Sequence, residues 1–321
     1  MRLFLGFDGG GTKTACVLCD EAGMLLGAGM SGPSNYLYCG KALAAASVTE
    51  AQNQAFQQAG IPPQRVDTAY MASAAIRLHN GDRHMPFFRT CIDARHMICE
   101  SDIYPIWFGG ARERPAVVSI AGTGSSTYVC RKDGFVRVGG WGPLLGDEGS
   151  GYDIGLQALR LTARMSDGRV GTDQNFVDAI LQHFALSDAR GMIRALNSGD
   201  TRSKVAGVAR LVTEAAQAGN RTAMMLLENA AEQVVCAVTA ACVQDTGTEP
   251  LPLILSGSLL QPGAPIFSLI QRMLPAYTDR ISGVEYAAFA PAAAAAALAL
   301  HSRGLDTAAE RLLSQAGGVQ I

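Results

Sequence analysis

Residues 6–14 read GFDGGGTKT and place an acid, three glycines, a hydroxyl and a lysine side by side. Glycines lack a Cβ, so backbone N–H groups can approach an anion closely, and Thr12 and Lys13 add a hydroxyl donor and a positive charge. Asp8 would repel a phosphate directly, so its useful role is to hold a Mg²⁺ ion or its waters beside the phosphates. The candidate phosphate-binding residues are Gly10, Gly11, Thr12 and Lys13. The stretch predicts a site for the phosphate chain of a nucleotide, and a glycine-rich hairpin without a ligand is the alternative.

A second glycine loop follows the same order of predicted elements. Residues 116–140 predict strand, glycine loop, strand, turn and strand, as residues 3–27 do, and setting Gly9 on Gly122 aligns the two stretches. The second loop adds Gly122, Thr123 and Gly124 to the candidate nucleotide-binding residues. An internal duplication of this kind predicts two lobes of like design, with the two glycine loops facing each other across a cleft.

Transfer of a phosphoryl group to an alcohol also requires a carboxylate near the nucleophile. Asp102 is the candidate, because it follows a predicted strand at residues 96–99 and precedes a predicted helix start at Ile103. This position is the carboxyl end of a strand, where α/β sheets bind ligands. The alternative is that Asp102 only caps the helix, which is worth about 0.5–2 kcal/mol.

A long glycine-rich loop spans residues 139–155 and contains seven glycines, a tryptophan and three acids. Asp147 could accept hydrogen bonds from sugar hydroxyls, or it could be a solvated turn acid. Trp141 could pack on a sugar face, but anchoring of the loop is the favoured interpretation. Asn35 can donate and accept at once, which suits a polyol, and a turn asparagine is the alternative. The candidate substrate-binding residues are Asn35, Gly140, Trp141 and Asp147.

The remaining pattern predicts an α/β fold, because strands alternate with amphipathic helices. Residues 41–60 predict a helix that covers a sheet, and a long buried helix around residues 224–241 precedes a strand at 251–255. That strand ends in Ser-Gly-Ser, where Gly257 and Ser258 could admit an adenosine or simply form a turn.

Length and composition limit the classes of protein that fit. At 321 residues the chain exceeds the roughly 250–300 residues at which single cores stop growing. We therefore predict an N-terminal lobe of residues 1–115, to which residues 291–321 return, and a C-terminal lobe of residues 116–290. A net charge of −2 leaves no basic stripe for nucleic acid.

Two further features predict a cytoplasmic protein. No signal sequence is evident, and the most apolar run, residues 286–300, falls short of the ~20 residues of a membrane span. The eight cysteines are scattered through apolar stretches, as is typical of reduced thiols. Cys16 and Cys19 form a CxxC pattern, but residues three apart on a strand point to opposite faces, so we expect no metal site there.

Together these motifs resemble the N-acetylglucosamine kinase group of the BadF/BadG/BcrA/BcrD ATPase family, within the actin-like sugar kinase superfamily. DGGGTKT is similar to the first phosphate motif of that family, AGTGS to its second, residues 139–155 to its sugar-side loop and LSGS to its adenosine motif. The resemblance implies two actin-like (ribonuclease H-like) lobes, ATP with Mg²⁺, and a small-molecule sugar substrate, and it is compatible with a homodimer. It implies that Asp102 is the catalytic base, that Asn35 and Asp147 bind the sugar, and that Thr123 and residues 10–13 bind the nucleotide.

The chain departs from the family pattern at two places. Residues 72–77 read ASAAIR where the family has a small residue followed by glycine near the sugar, and PAAAAAALAL replaces the usual glycine after proline. The zinc motif of the ROK sugar kinases is absent from the sequence. The predicted function is ATP-dependent phosphorylation of an amino sugar, N-acetylglucosamine or glucosamine.

Two alternatives stay open at this point. One is an ATPase activator of a dehydratase or reductase with an iron–sulfur cluster between two subunits, against which the scattered cysteines argue. The other is a catalytically silent sugar sensor, which the presence of both Asp8 and Asp102 disfavours.

Overall fold

The computed structural model describes residues 1–78 and 80–316, and these residues form ten strands and twelve α-helices. The strands are β1 (Leu3–Gly9), β2 (Thr14–Asp20), β3 (Leu25–Ser31), β4 (Val66–Ser73), β5 (Ala94–Glu100), β6 (Ala116–Ala121), β7 (Ser125–Arg131), β8 (Gly134–Val138), β9 (Leu251–Ser256) and β10 (Ile281–Tyr286). The helices are α1 (Tyr36–Cys39), α2 (Lys41–Gln58), α3 (Gly81–Phe88), α4 (Ile103–Ala111), α5 (Gly151–Ser166), α6 (Gln174–His183), α7 (Gly191–Leu196), α8 (Thr201–Gln217), α9 (Arg221–Gln244), α10 (Pro265–Met273), α11 (Pro291–His301) and α12 (Asp306–Ala316). Two short 3₁₀ helices span Ser258–Leu260 and Leu274–Ala276.

The chain divides into two compact units. The N-terminal unit comprises Met1–Glu113 and the chain from Ala287 onward, and the C-terminal unit comprises Arg114–Tyr286. The predicted lobe boundaries at residues 115 and 290 therefore differ from the unit boundaries by a few residues. Residues 317–321 of the predicted returning segment lie outside the described residues.

Each unit contains a five-stranded sheet, and the two sheets have the same strand order. The orders are β3-β2-β1-β4-β5 and β8-β7-β6-β9-β10. In both sheets the first three strands form an antiparallel meander, and the fourth and fifth strands join in parallel. The predicted α/β class is confirmed, and the repeated topology agrees with the predicted duplication.

The residue pairing of the duplication needs one correction. In the first hairpin the backbone N–H of Gly10 donates to the carbonyl of Lys13 at 2.9 Å, and in the second Gly122 donates to Gly124 at 2.9 Å. The second loop is thus one residue shorter. The structural counterpart of Gly122 is Gly10 rather than Gly9, so the predicted alignment is one residue out at this point.

Helices cover both faces of the N-terminal sheet. The α2 residues Val48, Ala51 and Ala55 are buried against one face, as the helical spacing predicts. On the other face, residues 292–300 of α11 are all buried. A Cβ on Gly6 of β1 would lie 2.0 Å from the backbone N of Ala296, so the helix and the strand touch backbone to backbone.

The two cysteines of the CxxC pattern lie on opposite faces of the N-terminal sheet, as predicted. Cys16 packs in the cluster on the α2 side, and Cys19 packs in the cluster on the α11 side. Burial raises the pKa of both thiols. These are buried, protonated side chains of two separate clusters.

Helix α9 is the central helix of the C-terminal core. The helix has 24 residues and contains an apolar 18-residue window with a mean hydropathy of 1.3, so by length and composition alone it could cross a membrane, although the sequence predicts no membrane span. Half of that apolar window is buried inside the unit. Its buried residues contribute to one cluster with α5, α8 and α10, which is the burial of a core helix.

Candidate active site

The parallel strands of the N-terminal sheet bring two acids to one edge. Asp8 of β1 is in register with Ala72 of β4, and Ala72 is in register with Glu100, the last residue of β5. Asp102 follows two residues later. Because these strands are parallel, their carboxyl ends meet at the same edge, so Asp8 and Asp102 lie in one site.

The two carboxylates interact electrostatically. Burial and, to a smaller extent, the nearby charge of Asp102 raise the pKa of Asp8 to about 6, although Lys13 opposes both effects. Within residues 1–78 and 80–316, no group of three or more His, Cys, Asp and Glu side chains could hold a metal ion. One or two carboxylates are the protein ligands that Mg²⁺ usually uses, with water and phosphate oxygens completing its shell, and Asp8 could supply such a ligand.

Asp102 does not cap the helix that it precedes. It occupies the N-cap position of α4, but its backbone is helical, with φ −58° and ψ −15°, and its side chain makes no capping hydrogen bond. The Ser101 hydroxyl donates to Asp102 Oδ1 at 3.2 Å. The interpretation of Asp102 as only a helix cap is therefore wrong, and its charge is close enough to Asp8 to influence the pKa of that residue.

Asn35 lies directly beside the first glycine loop. The carbonyl of Gly10 accepts hydrogen bonds from the backbone N–H groups of Ser34 and Asn35, both at 3.1 Å. Asn35 is 4% exposed and makes no capping bond to α1, and its Oδ1 has no hydrogen-bond partner among the described residues. An unsatisfied buried acceptor costs about 1–3 kcal/mol. This atom is therefore a candidate acceptor for a ligand hydroxyl.

In the C-terminal unit, the second glycine loop is bonded to the end of the predicted 139–155 loop, whose last residues, from Gly151 on, form the first turn of α5. The N–H of Gly151, the first residue of α5, donates to the carbonyl of Gly122 at 2.8 Å. The Ser125 hydroxyl donates to the carbonyl of Glu148 at 2.7 Å, and Tyr152 N–H donates to Thr123 at 3.3 Å. The predicted nucleotide loop and the predicted sugar-side loop therefore form one local structure.

Asp147 is buried rather than solvated. It is 4% exposed, and its backbone is left-handed, with φ +58°. Its Oδ1 accepts from Gly142 N–H at 3.1 Å, and its Oδ2 accepts from the Arg202 guanidinium at 3.2 Å. Burial raises the pKa of Asp147, and Arg202 is the largest influence that lowers it. The interpretation of Asp147 as a solvated turn acid is therefore wrong.

Trp141 does not anchor its loop. The residue is 75% exposed, as are its neighbours Leu144 at 91% and Leu145 at 75%. The flanking residues Gly140 and Gly142 have positive φ values of +67° and +89°, and these left-handed turns carry the tryptophan out of the loop's own packing. The expected anchoring role is wrong, and contact with a substrate stays a prediction for Gly140 and Trp141.

Gly257 is required by its backbone and by its neighbour. It has φ +106°, and a Cβ there would lie 2.1 Å from the carbonyl oxygen of Ala121 at the end of β6. Ser258 then begins a 3₁₀ helix. This turn thus lies immediately beside the start of the second glycine loop, and its predicted contact with adenosine stays a prediction.

Arg202 is a residue of this site that the sequence did not predict. This residue lies in the first turn of α8, 55 positions from its partner Asp147. No short motif marks it, because the pair forms only when α8 folds against the loop.

Comparison with known proteins identifies the family. The chain matches the BadF/BadG/BcrA/BcrD ATPase family over residues 5–299, and it belongs to that family. It is 29% identical over 276 residues to an N-acetyl-D-glucosamine kinase of Dictyostelium discoideum, covering 81% of this chain and 86% of the relative. It is 28% identical over 243 residues to an N-acetylmuramic acid/N-acetylglucosamine kinase of Clostridium acetobutylicum, covering 75% and 79% of the two chains.

Solved structures support the same assignment. A protein of Chromobacterium violaceum, provisionally named an N-acetylglucosamine kinase, superposes with a TM-score of 0.75 at 28% identity, covering 94% of this chain and 99% of the other. A ROK-family glucokinase of Streptomyces griseus in complex with glucose and AMPPNP has a TM-score of 0.58 at 17% identity, covering 93% and 99%. The second likeness concerns the fold alone. The family and fold implied by the sequence motifs are confirmed.

Proposed function

We propose that this protein is an ATP-dependent kinase that phosphorylates a hydroxyl group of an amino sugar, N-acetylglucosamine or glucosamine. The observation that carries the proposal is the pair of interacting carboxylates, Asp8 and Asp102, at the carboxyl edge of the N-terminal sheet. The names of the curated relatives supply the substrate class.

Asp102 is the proposed base. Its carboxylate lies near Asp8 at the carboxyl ends of the parallel strands, and it would accept the proton of the attacking sugar hydroxyl. General-base catalysis by a positioned carboxylate contributes roughly 10²–10⁴-fold to a rate. Asn35 would orient the sugar through Oδ1, and Asp147 would accept hydrogen bonds from other hydroxyls.

The nucleotide would bind through backbone and charge. The N–H groups of residues 10–13 and 122–124 would donate to the phosphates, Lys13 would add a positive charge, and residues 257–258 would border the adenosine. Asp8 would hold Mg²⁺, which when bound offsets the negative charge of the phosphates. In this arrangement Asp8 and Asp102 have different roles although they share one edge of the sheet.

The proposal also concerns partners and location. A kinase of this kind needs a small-molecule sugar and ATP, both of which are available in the cytoplasm, and it needs neither nucleic acid nor a membrane. A homodimer is compatible with the family resemblance and stays a prediction.

An assay of ADP release tests the function directly. The purified protein is incubated with Mg·ATP and, in separate reactions, glucosamine, N-acetylglucosamine or N-acetylmuramic acid. We expect sugar-dependent ADP release together with a phosphorylated sugar detected by mass spectrometry. Sugar binding without ADP release would instead indicate a sensor. ADP release that no sugar stimulates would favour an ATPase activator.

A further inference from the structure

An ion pair between Asp147 and Arg202 joins the 139–150 loop to α8, and it holds a residue with a strained backbone. Asp147 is a non-glycine residue at φ +58°, a conformation that costs of order 1 kcal/mol or more. One carboxylate oxygen is held from within the loop by Gly142 N–H at 3.1 Å. The other is held from a separate helix by Arg202 at 3.2 Å, and this ion pair is mostly buried, with side-chain exposures of 6% and 32%.

The pair also lies against the second glycine loop. A Cβ on Gly124 would lie 2.7 Å from Asp147 Oδ2 and 3.1 Å from Arg202 Nη2. Only glycine leaves room for the carboxylate and the guanidinium at this position. The ion pair therefore contacts the predicted nucleotide loop while it belongs to the predicted sugar-side loop.

The helix that presents Arg202 is itself fixed. Asp200 caps α8 by accepting from Ser203 N–H at 3.2 Å, which sets the first turn of the helix. Helix α8 packs closely on α5, where a Cβ on Gly155 would lie 1.9 Å from the carbonyl of Val205. The Arg202 guanidinium thus projects from a capped and packed helix rather than from a loop.

We propose that Arg202 is a positioning residue that holds the Asp147 carboxylate, ionised and correctly oriented, for hydrogen bonding to the sugar. This inference rests on the proposed sugar kinase function. Arg202 acts through Asp147, so its removal should weaken the binding of sugar much more than the binding of ATP.

The charges around Asp147 give the proposal a pH signature. Burial raises the pKa of this carboxyl, Arg202, Gly142 N–H and Arg137 lower it, and Glu148 raises it. Replacement of Arg202 by a neutral residue removes the largest of the lowering influences, so the pKa of Asp147 rises further. A protonated Asp147 loses acceptor capacity, and the loss of sugar affinity at acid pH should therefore begin at a higher pH in the variant.

The test compares Arg202→Gln and Arg202→Lys with the matched control Arg210→Gln. Arg210 lies on the same helix, is 84% exposed and pairs with Glu214 at 3.5 Å. Sugar affinity is measured by calorimetry without nucleotide from pH 5 to 9, and KM and kcat are measured for both substrates. We expect Arg202→Gln to raise the sugar Kd and KM by roughly 10- to 100-fold, with the KM for ATP within about twofold of the wild type. Arg202→Lys should recover part of the loss, and Arg210→Gln should match the wild type.

A double variant separates positioning from general destabilisation. If Arg202 acts only through Asp147, Arg202→Gln should add little in an Asp147→Asn background. The inference would be overturned if the losses of sugar affinity in the double variant were additive. It would also be overturned if Arg202→Gln left the sugar KM unchanged, did not shift the acid side of the pH profile of sugar binding, or weakened only the binding of ATP. If Arg202→Gln does not fold, the same measurements of sugar affinity, KM and pH dependence are made on Arg202→Lys, and the same results support or overturn the inference. A wild type that neither binds nor phosphorylates any amino sugar would refute the kinase proposal itself, whereas an active wild type with an unaffected Arg202→Gln refutes only this inference.

Discussion

The two carboxylates at the carboxyl ends of the N-terminal strands lie close together but have different proposed roles, Asp8 as a ligand of Mg²⁺ and Asp102 as the base. Partial burial of Asp8 and the nearby negative charge of Asp102 raise the pKa of Asp8 to about 6. A bound divalent cation would remove this penalty, because a positive charge favours the ionised form. The negative charges of Asp8 and Asp102 therefore favour the binding of a cation between or beside them.

Replacing Asp102 by asparagine tests its role as a base. Asp102→Asn keeps the size of the side chain but removes the proton acceptor, so we expect kcat to fall by ~10²-fold or more. The affinity for ATP should change little, because Asp102 is not among the proposed nucleotide contacts. Steady-state kinetics with a fluorescent-nucleotide binding assay measure both quantities. Near-normal turnover would remove Asp102 from this role.

Asp8→Asn should separate stability from activity. The folded pKa of Asp8 is raised from 3.8 to about 6, so the native state holds this proton more tightly than the unfolded chain does. The contribution of Asp8 to stability is therefore fully present below about pH 4 and is lost as the pH rises through about 6. In EDTA at pH 8 the uncharged variant should be more stable than the wild type, by up to about 3 kcal/mol, and the two should converge at pH 4.

Thermal unfolding at the two pH values measures this difference, and the ADP-release assay in Mg²⁺ should show a loss of activity of at least about 100-fold. A variant that is less stable than the wild type at pH 8 would contradict the account of Asp8 as a destabilising, functional acid.

At the scale of single residues, the candidate site residues could be predicted from the sequence more reliably than their contacts and burial. Asp102 and Asn35 could be selected because each stands next to a recognisable strand end or turn. Trp141 was misinterpreted because an aromatic residue in a glycine-rich loop is usually buried, whereas here it is 75% exposed. Arg202 could not be selected, because its partner is 55 positions away and only the tertiary fold brings them together.

At the scale of elements, the contact between β1 and α11 depends on a glycine in the strand. Helix α11 is an alanine run. Gly6 of β1 has no side chain, so the backbone of this helix can lie directly against the backbone of the strand.

Gly6→Ala tests this contact. The new methyl group would lie 2.0 Å from the backbone N of Ala296 and 2.4 Å from the carbonyl oxygen of Ala292, and backbone atoms cannot rotate away. We expect a loss of at least about 3 kcal/mol in the free energy of unfolding, measured by urea denaturation. The control is Gly207→Ala in α8, where no heavy atom lies within 4 Å of the new Cβ. The control should be neutral or stabilised by about 0.5–1 kcal/mol, and equal losses in both variants would refute the contact as the cause.

A second element-scale feature is an ion-pair network that fixes the end of α9. Asp245 is 1% exposed and accepts from Arg131 at 2.7 Å and from Arg280 at 2.7 Å. Hydrogen bonding to Arg131 lowers the pKa of Asp245. A lowered pKa contributes stability that is present above the unfolded pKa and is lost as the pH falls through the folded pKa.

Asp245→Asn should therefore destabilise the protein by about 3 kcal/mol at pH 7, because it removes the buried negative charge that Arg131 and Arg280 share. The difference from the wild type should shrink as the pH falls below 4. The matched control is Glu249→Gln, since Glu249 pairs with the same Arg131 at 2.7 Å but is 50% exposed. Its effect should stay below about 1 kcal/mol. Chemical denaturation at pH 7 and below pH 4 measures the free energy of unfolding of each variant. A larger loss of stability in Glu249→Gln than in Asp245→Asn would contradict the role given to Asp245.

Elements with strong periodicity were predictable, and their exact ends were not. The helix predicted at residues 41–60 is Lys41–Gln58, and the strand predicted at 251–255 is Leu251–Ser256. The third strand, predicted to end at residue 27, is Leu25–Ser31, because hydrogen bonding to β2 continues past the point where the apolar pattern stops.

At the scale of the whole molecule, one sheet plan is used twice and elaborated differently. The C-terminal unit inserts five helices, α5 to α9, between its third and fourth strands, whereas the N-terminal unit has two, α1 and α2, at the same place. The chain then returns, and α11 and α12 complete the N-terminal unit. The repeated glycine loops made this plan predictable from the sequence. The second loop is one residue shorter than the first, however, so an alignment without gaps pairs some residues of the two loops incorrectly.

The most direct test of the kinase assignment is a crystal structure with Mg²⁺, an unreactive ATP analogue and N-acetylglucosamine. The account predicts phosphate oxygens hydrogen-bonded to backbone N–H groups of both residues 10–13 and residues 122–124. It also predicts one sugar hydroxyl within about 2.6–3.2 Å of an Asp102 carboxylate oxygen. A nucleotide bound away from either loop, or a sugar with no hydroxyl near Asp102, would contradict it.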